Sequence, residues 1–329
     1  MWETMVPIRL LTRPDVEQVL TMDETIAVME DAFRAHGEGK VVQPSPVRIH
    51  VGKHEGRLTA RAAYIEPMDA VGLKFTGGYY ANPRKFGLPS ILGVIVLVDA
   101  KSGAPLAVMD ASFITGIRTG ALGAVAARYL ARNDSSVVGI IGAGTQGRFQ
   151  LRGLDAIFDL EEVRVADMSK RTLTSYVNDM RDELGVAVRA VESGQDAAAG
   201  ADVIVTCTPS LTPVLMADWI DAGSHINTIG GKHELDPQIM KLADKIVVDE
   251  WAQTKGTQDF QTALAAGIIS EDDIHGEIGE VVLGAKAGRT SRSEVTLFVT
   301  SGLAVEDVAA AARAYERAQV RGIGTELTL

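Results

Sequence analysis

The sequence has a single cysteine, Cys207, in 329 residues. An intramolecular disulfide is therefore impossible, and a zinc site built from cysteines is excluded in practice. Its six histidines, His36, His50, His54, His225, His233 and His275, show no metal-ligand spacing on a helix. His50 and His54 are four apart, but Gly52 between them argues for a hairpin. Neither the phosphate-loop spacing with its Lys-Ser/Thr nor the nucleophile-elbow spacing occurs, so metal-dependent and serine-hydrolase chemistry have no support. Long apolar runs are missing too. The longest, Ile91 to Val98, is too short to span a bilayer. Met1 to Leu10 lacks the apolar core of a signal peptide, so a cytoplasmic location is expected. Positive charge is also short: 32 Lys and Arg against 43 Asp and Glu, a net charge of −11. That balance argues against nucleic acid or an anionic membrane as partner, while leaving room for a local basic pocket. Neither a repeat nor a low-complexity linker is present.

What the chain does have is glycine, 33 residues without a fixed period, which marks turns and tight loops. At roughly 100–200 residues per domain, the length predicts two domains or one large one. Asp23 is a candidate N-cap for an amphipathic helix over Glu24 to Ala35. From Val47 to Asp110, short β-rich runs (Val47–Val51, Leu58–Tyr64, Val71–Phe75, Ile91–Val98) alternate with Gly, Pro and Asn clusters and predict a mostly antiparallel sheet. An Ala-rich helix is expected over Ser112 to Leu130. After Asn133 the pattern becomes strand, helix, strand, which predicts a parallel sheet covered on both faces. A long Ala-rich helix is expected over Leu303 to Val320, with Glu306, Asp307 and Arg313 spread around it.

The most informative stretch is Gly142-Ala143-Gly144-Thr145-Gln146-Gly147. Its G-x-G-x-x-G spacing is weak alone. Here it follows an apolar strand, Ser136–Ile141, and opens a helix expected over Arg148 to Ile157. A second strand then ends at Asp167, 20 residues after Gly147. That context is the one a dinucleotide-binding loop requires. Gly142 would permit the tight turn, Gly144 the close approach of a pyrophosphate, and Gly147 the packing of helix on strand. A carboxylate at Asp167 suits the adenosine ribose hydroxyls and repels a 2′-phosphate, which favours NAD(H) over NADP(H). Nearby Lys170 and Arg171 weaken that preference, and a plain helix N-cap at Asp167 is the alternative.

Several separated motifs in order then resemble the ornithine cyclodeaminase/mu-crystallin family over nearly the whole chain. They include Gly87-Leu88-Pro89-Ser90, Met109-Asp110, Ile117-Arg118-Thr119-Gly120-Ala121, the glycine loop, Gly231-Lys232 with Glu234-Leu235-Asp236-Pro237, Gly279-Glu280, and Ser301-Gly302-Leu303-Ala304 with Asp307. The resemblance implies hydride exchange at a carbon that bears an amine or imine. It also implies roles for particular residues. Arg48 and Arg118 would hold a substrate carboxylate, and Lys74 would stand beside the reacting carbon. Ser90, Thr119, Thr208, Lys232 and Thr300 would join Gly142, Ala143, Gly144, Thr145, Gln146, Gly147 and Asp167 around the cofactor. The chemistry agrees: a guanidinium clamps a carboxylate, and a lysine among cations can exchange a proton near neutrality. A solvated strand face is the alternative for Arg48 and Lys74, and a structural salt bridge for Arg118.

Two departures from the family pattern stand out. Thr228-Ile229-Gly230-Gly231-Lys232-His233-Glu234 is a shorter loop than the family's and lacks its Asp, which puts ornithine cyclisation in doubt. His233 is a candidate proton relay in its place, with a surface role as the alternative. Arg61 stands where the family commonly has Met, and strand alternation could aim it into the pocket with Arg48. An extra cation there would suit a second substrate carboxylate, as in iminosuccinate or aspartate, although a solvent-facing Arg61 is the competing reading.

The expected fold is α/β: a Rossmann dinucleotide-binding domain over 119–304, and an α+β substrate-binding and dimerisation domain from 1–118 with 305–329. The expected function is an NAD(H)-dependent imino-acid reductase or amino-acid dehydrogenase acting on a small anionic amino, imino or oxo acid, as a homodimer without a metal. An ornithine-type cyclodeaminase and a non-catalytic ligand-binding protein like mu-crystallin are the alternatives.

Overall fold

The computed structural model describes residues 6–230 and 232–328. Seven strands precede the middle of the chain: β1 (Pro7–Leu11), β2 (Val41–Val42), β3 (Val47–Val51), β4 (Gly56–Ile65), β5 (Ala70–Gly78), β6 (Ile91–Asp99) and β7 (Pro105–Asp110). Eight more follow: β8 (Val137–Ile141), β9 (Glu162–Ala166), β10 (Ala187–Ala190), β11 (Val203–Thr206), β12 (His225–Ile229), β13 (Lys245–Val248), β14 (Ile274–Glu277) and β15 (Thr296–Thr300). A last strand, β16 (Thr325–Thr328), closes the described chain. The chain divides into two compact units, Met1–Arg118 with Leu303–Leu329, and Thr119–Gly302.

The first unit is one sheet in the order β16-β1-β7-β6-β5-β4-β2, with β3 also paired to β4. All its pairings are antiparallel except β1 with β7. The helix Ala304–Arg321 packs on this sheet. Its Ala309, Ala310, Ala311, Ala314 and Ala318 are buried, and their small side chains let the helix lie close to the strands. The short strands β1 and β16 have no counterpart in the sequence expectation. They are held by pairing with each other and with β7 rather than by a pattern of their own.

The second unit is a fully parallel sheet in the order β10-β9-β8-β11-β12-β15-β13-β14. Strand order reverses direction between β8 and β11, the place where open α/β sheets bind ligands. Strands β11, β12, β13 and β15 are buried along their whole length, because helices cover both faces. This is the Rossmann-like architecture expected from the strand–helix alternation.

Three local expectations need correction. The first long helix is Met22–Gly37, and its cap is Thr21, whose hydroxyl accepts from the Glu24 amide at 3.3 Å; Asp23 already lies inside the helix. The helix after the glycine loop begins at Thr145, not Arg148, so the loop residues form its first turn. Glu306 and Asp307, expected among the charges spread around the last helix, are both fully buried.

Candidate functional site

In the first unit, strand register decides which side chains meet. Arg48 lies opposite Thr59, Arg61 opposite Lys74, and Lys74 opposite Ile95. Opposed residues share a sheet face, and alternate residues along a strand do too. Arg48, Arg61 and Lys74 therefore face one way, and Val47, Leu73, Phe75 and Val94 the other. Burial reverses the usual pattern: Lys74 is 2% exposed, while Leu73 and Phe75 are 40% and 41% exposed.

The charged face is closed by two helices. Helix Ala111–Leu130 brings Thr115 and Arg118, three apart and so on one helical face. Helix Ala304–Arg321 brings Glu306 and Asp307 in its first turn. Lys74 Nζ pairs with Asp307 Oδ2 at 2.5 Å and donates to Thr115 Oγ1 at 3.3 Å. Arg118 donates through Nε to Asp307 Oδ1 at 2.9 Å and through Nη1 to Glu306. Burial pulls the Lys74 pKa down to about 8; Asp307 acts against that and Arg118 with it. Burial also opposes the charge on Arg118, but Asp307 and Glu306 outweigh it and raise its pKa. Asp307 stays ionised: burial would raise its pKa, yet Arg118 and Lys74 hold it below the ordinary carboxylate value.

Arg61 differs from its neighbours. It makes no hydrogen bond or ion pair with the described residues, and its buried Nε is unpartnered. Burial is the largest cause of its lowered pKa, with Arg118 and Arg48 acting in the same direction. Arg48 is exposed on the edge strand β3. Four cations, Arg48, Arg61, Lys74 and Arg118, thus stand with two carboxylates, Glu306 and Asp307.

In the second unit, the glycine loop follows β8. Gly142 has φ +116°, and a Cβ there would sit 2.9 Å from the Cys207 carbonyl oxygen. A Cβ on Gly147 would sit 2.2 Å from the Gly142 carbonyl oxygen, so the helix Thr145–Asp155 can start only with glycine at that place. Gly144 faces open space. The Ala143 amide donates to Asp167 Oδ2 at 2.8 Å, and the Ser169 amide to Asp167 Oδ1 at 2.7 Å. The cap of the following helix, Lys170–Leu184, is Ser169 rather than Asp167. Gly142, Asp167, Met168, Ser169, Thr208 and Ser210 are among the residues lining a cavity of about 510 Å³. Exposed Gly144 and Thr145 and half-buried Gln146 complete the loop.

The remaining candidates are more scattered. The Thr119 carbonyl accepts from Gln150 Nε2 at 2.7 Å. Thr300 is buried and donates to Asp249 Oδ2 at 2.8 Å. Lys232 and His233 lie in the segment after β12; Gly231 lies outside the described residues. His233 Nδ1 is 3.1 Å from the Leu211 carbonyl oxygen, and its Nε2 is buried without a partner. Ser90 belongs to the first unit, where its carbonyl accepts from the Tyr79 amide at 2.8 Å. Sequence reasoning missed Glu306, Thr115 and Asp259, and used Glu234 and Asp307 only as motif matches. Adjacent acids among the Ala and Val residues that begin the last helix were the available signal for Glu306 and Asp307.

The model of the ornithine cyclodeaminase/mu-crystallin family matches residues 7–322. The chain belongs to this family. An alanine dehydrogenase of Archaeoglobus fulgidus is 42% identical over 323 residues, 97% of each chain. The Thermococcus litoralis Delta(1)-pyrroline-2-carboxylate reductase, solved with NADH and L-proline, is 38% identical with a TM-score of 0.94, covering 97% of this chain and 99% of that one. The iminosuccinate reductase of Paracoccus denitrificans, solved with NAD+, is 31% identical with a TM-score of 0.91, covering 98% and 100%. Among the described residues, no group of three or more His, Cys, Asp or Glu could hold a metal ion. No described helix is long and apolar enough to cross a membrane.

Proposed function

We infer that this member of the family is an NAD(H)-dependent oxidoreductase acting on the carbon–nitrogen bond of a small amino or imino acid. The observation that carries the reading is the buried Lys74, which shares Asp307 with Arg118, on a sheet face that also bears Arg48 and Arg61. The second unit fits a dinucleotide: Gly144 leaves the loop open, main-chain amides begin a helix there, and Asp167 stands at the adjoining strand end. Gly142, Ala143, Gly144, Thr145, Gln146 and Gly147 would hold the pyrophosphate, and Asp167 the ribose hydroxyls, which favours NAD(H) over NADP(H). When bound, the nicotinamide supplies or accepts the hydride.

The chain's own residues do the rest. Arg118, held on one edge by Glu306 and Asp307, and the two other guanidiniums supply donors for a carboxylate. Lys74, with a pKa of about 8, can place a proton on an imine nitrogen near neutral pH and take one from an amine above it. The imine thereby becomes an electrophilic iminium, and reduction leaves Lys74 neutral until solvent restores its proton. Thr115 and Asp307 fix the ammonium in place.

Two positive charges remain after the carboxylates are matched, and one of them, Arg61, has no partner. That surplus favours a substrate with two carboxylates, such as iminosuccinate or aspartate, over alanine. The outer face of the same sheet leaves Val47, Ile49, Leu73, Phe75 and Val94 exposed, which supports a homodimer formed through it. One free thiol, Cys207, and a nicotinamide cofactor are consistent with the cytoplasm.

The test is NADH oxidation with oxaloacetate, pyruvate or glyoxylate plus ammonia, and Lys74→Ala as control. A fully active Lys74→Ala enzyme would sink the proton-transfer assignment. Ornithine conversion with no net change in NADH would place the chain with the cyclodeaminases instead.

A further inference from the structure

We propose that Glu234 is the positioning residue of the cofactor pocket, clamping both ends of the Thr208–Leu215 segment that walls it. Its side chain takes one end: Oε1 accepts the Thr208 amide at 2.7 Å and the Thr208 hydroxyl at 2.8 Å. Its main-chain carbonyl takes the other, accepting the Val214 and Leu215 amides at 2.8 and 3.1 Å. Leu215 and Leu235 form an isolated bridge beside it. Within the segment, the Ser210 amide donates to Thr208 Oγ1 at 3.2 Å, and Ser210 Oγ donates to the Thr212 carbonyl at 2.6 Å. Thr208, Ser210 and Val214 line the cavity that Gly142 and Asp167 also line. The position of one wall is therefore set by one residue from the segment after β12.

Glu234 is itself held. Asp259, in the first turn of the helix Gln258–Ala265, accepts the Glu234 and Leu235 amides at 3.0 and 3.1 Å. Glu234 is fully buried, and its Oε2 has no partner; nor has Asp259 Oδ2. A charge on such a carboxylate is costly. Burial raises the Glu234 pKa to about 8, with Asp259 adding to the rise; the Thr208 donors and Lys232 act against it. The other titratable groups facing this place are His233, which acts on Asp259, and Cys207, which feels Glu234 and Asp167. Glu234 is thus a neutral acid at pH 7, and its Oε1 still accepts both Thr208 donors. Ionisation above pH 8 would add a buried negative charge behind the wall of a pocket meant for an anionic dinucleotide.

The inference rests on that pocket taking a dinucleotide, so the measurement is NADH binding by fluorescence titration, followed by steady-state kinetics and melting. Glu234→Ala is expected to weaken NADH binding about tenfold or more at pH 7 and to raise KM for NADH by the same factor, with kcat changed less than about threefold. Glu234→Gln keeps an acceptor and cannot ionise. It is expected to bind within about threefold of wild type at pH 7 and to lose the weakening that wild type shows above pH 8. Should Glu234→Ala fail to fold, Thr208→Val removes one of the clamped donors and is expected to weaken binding about threefold or more. Unchanged NADH affinity in Glu234→Ala, or in Thr208→Val when only that variant folds, overturns the proposal even if melting drops. Equal alkaline weakening in Glu234→Gln and wild type removes the ionisable-acid part of it. Wild-type enzyme that binds no NADH overturns both this inference and the function above.

Discussion

Two buried pairs of carboxylates, one in each unit, have opposite electrostatics. Glu306 and Asp307 meet Lys74 and Arg118, and Asp307 is driven below the ordinary carboxylate pKa. Glu234 and Asp259 meet amides and hydroxyls, and burial drives them up to about 8 and about 6. Burial is the largest cause in every one of the three shifted acids, and it always raises the pKa; only the guanidinium and ammonium reverse the sign. The difference separates two tasks. In the proposed function, a charged network would keep a lysine poised for proton transfer, and a neutral acid would hold a loop without placing charge beside an anion.

The largest expected effect comes from removing the charge the first pair serves. Lys74→Ala should lower kcat about 10²- to 10⁴-fold in the NADH-oxidation assay, with NADH binding preserved. Asp307→Asn comes next. Leaving Lys74 and Arg118 short of a carboxylate should cost about 3–5 kcal/mol, read from urea unfolding. The surviving activity should have its alkaline limb moved below the wild-type value near pH 8, because Asp307 is what raises the Lys74 pKa. An unmoved limb would separate Lys74 from that limb.

The two pairs should also respond oppositely to pH. Asp307 has a depressed pKa, so its contribution is present above the unfolded value and is lost as pH falls through the folded one. Glu234 has a raised pKa, so its contribution is full below the unfolded value near 4.5 and is lost as pH rises through about 8. Urea midpoints between pH 5 and 9 should therefore fall more steeply for wild type than for Glu234→Gln. Arg61→Met should shift preference from dicarboxylic toward monocarboxylic substrates by about tenfold in kcat/KM, as expected for one charged hydrogen-bonding group; an unchanged preference would remove Arg61 from the substrate site. The smallest effect lies outside both pairs. Thr21→Ala should cost about 1 kcal/mol of stability by removing the cap of Met22–Gly37, with activity intact.

Much of the fold was legible because its signals are local. The bounds of β3 match the β-rich run that predicted it, and β8 ends at Ile141 as the apolar strand before the glycine loop does. Lys74 between Leu73 and Phe75 could be set on the opposite face from both by alternation alone. Strands β1 and β16 were not legible, since each is stabilised by a partner more than 90 residues away in sequence. The capping of Met22–Gly37 by Thr21 instead of Asp23 is a smaller miss of the same sort: both residues are good caps, and the backbone turn chooses between them.

Most of the glycine loop lay within what sequence determines. The open place at Gly144 and the close packing of Gly147 on Gly142 involve residues within a few positions of one another, so spacing encodes them, whereas the Gly142 turn is also pressed by the distant Cys207 carbonyl. The charges around Lys74 lay outside it. Helical periodicity names the face on which Glu306 and Asp307 sit, but not what that face covers. Arg118 is 188 and 189 residues from those acids, and only the return of the last helix to the first sheet turns them from surface charges into its partners. Glu234 repeats the lesson over 26 residues, from a motif match to the two-ended clamp of Thr208–Leu215. Local chemistry is written in spacing, whereas the pKa of a buried group depends on what the folded chain brings against it.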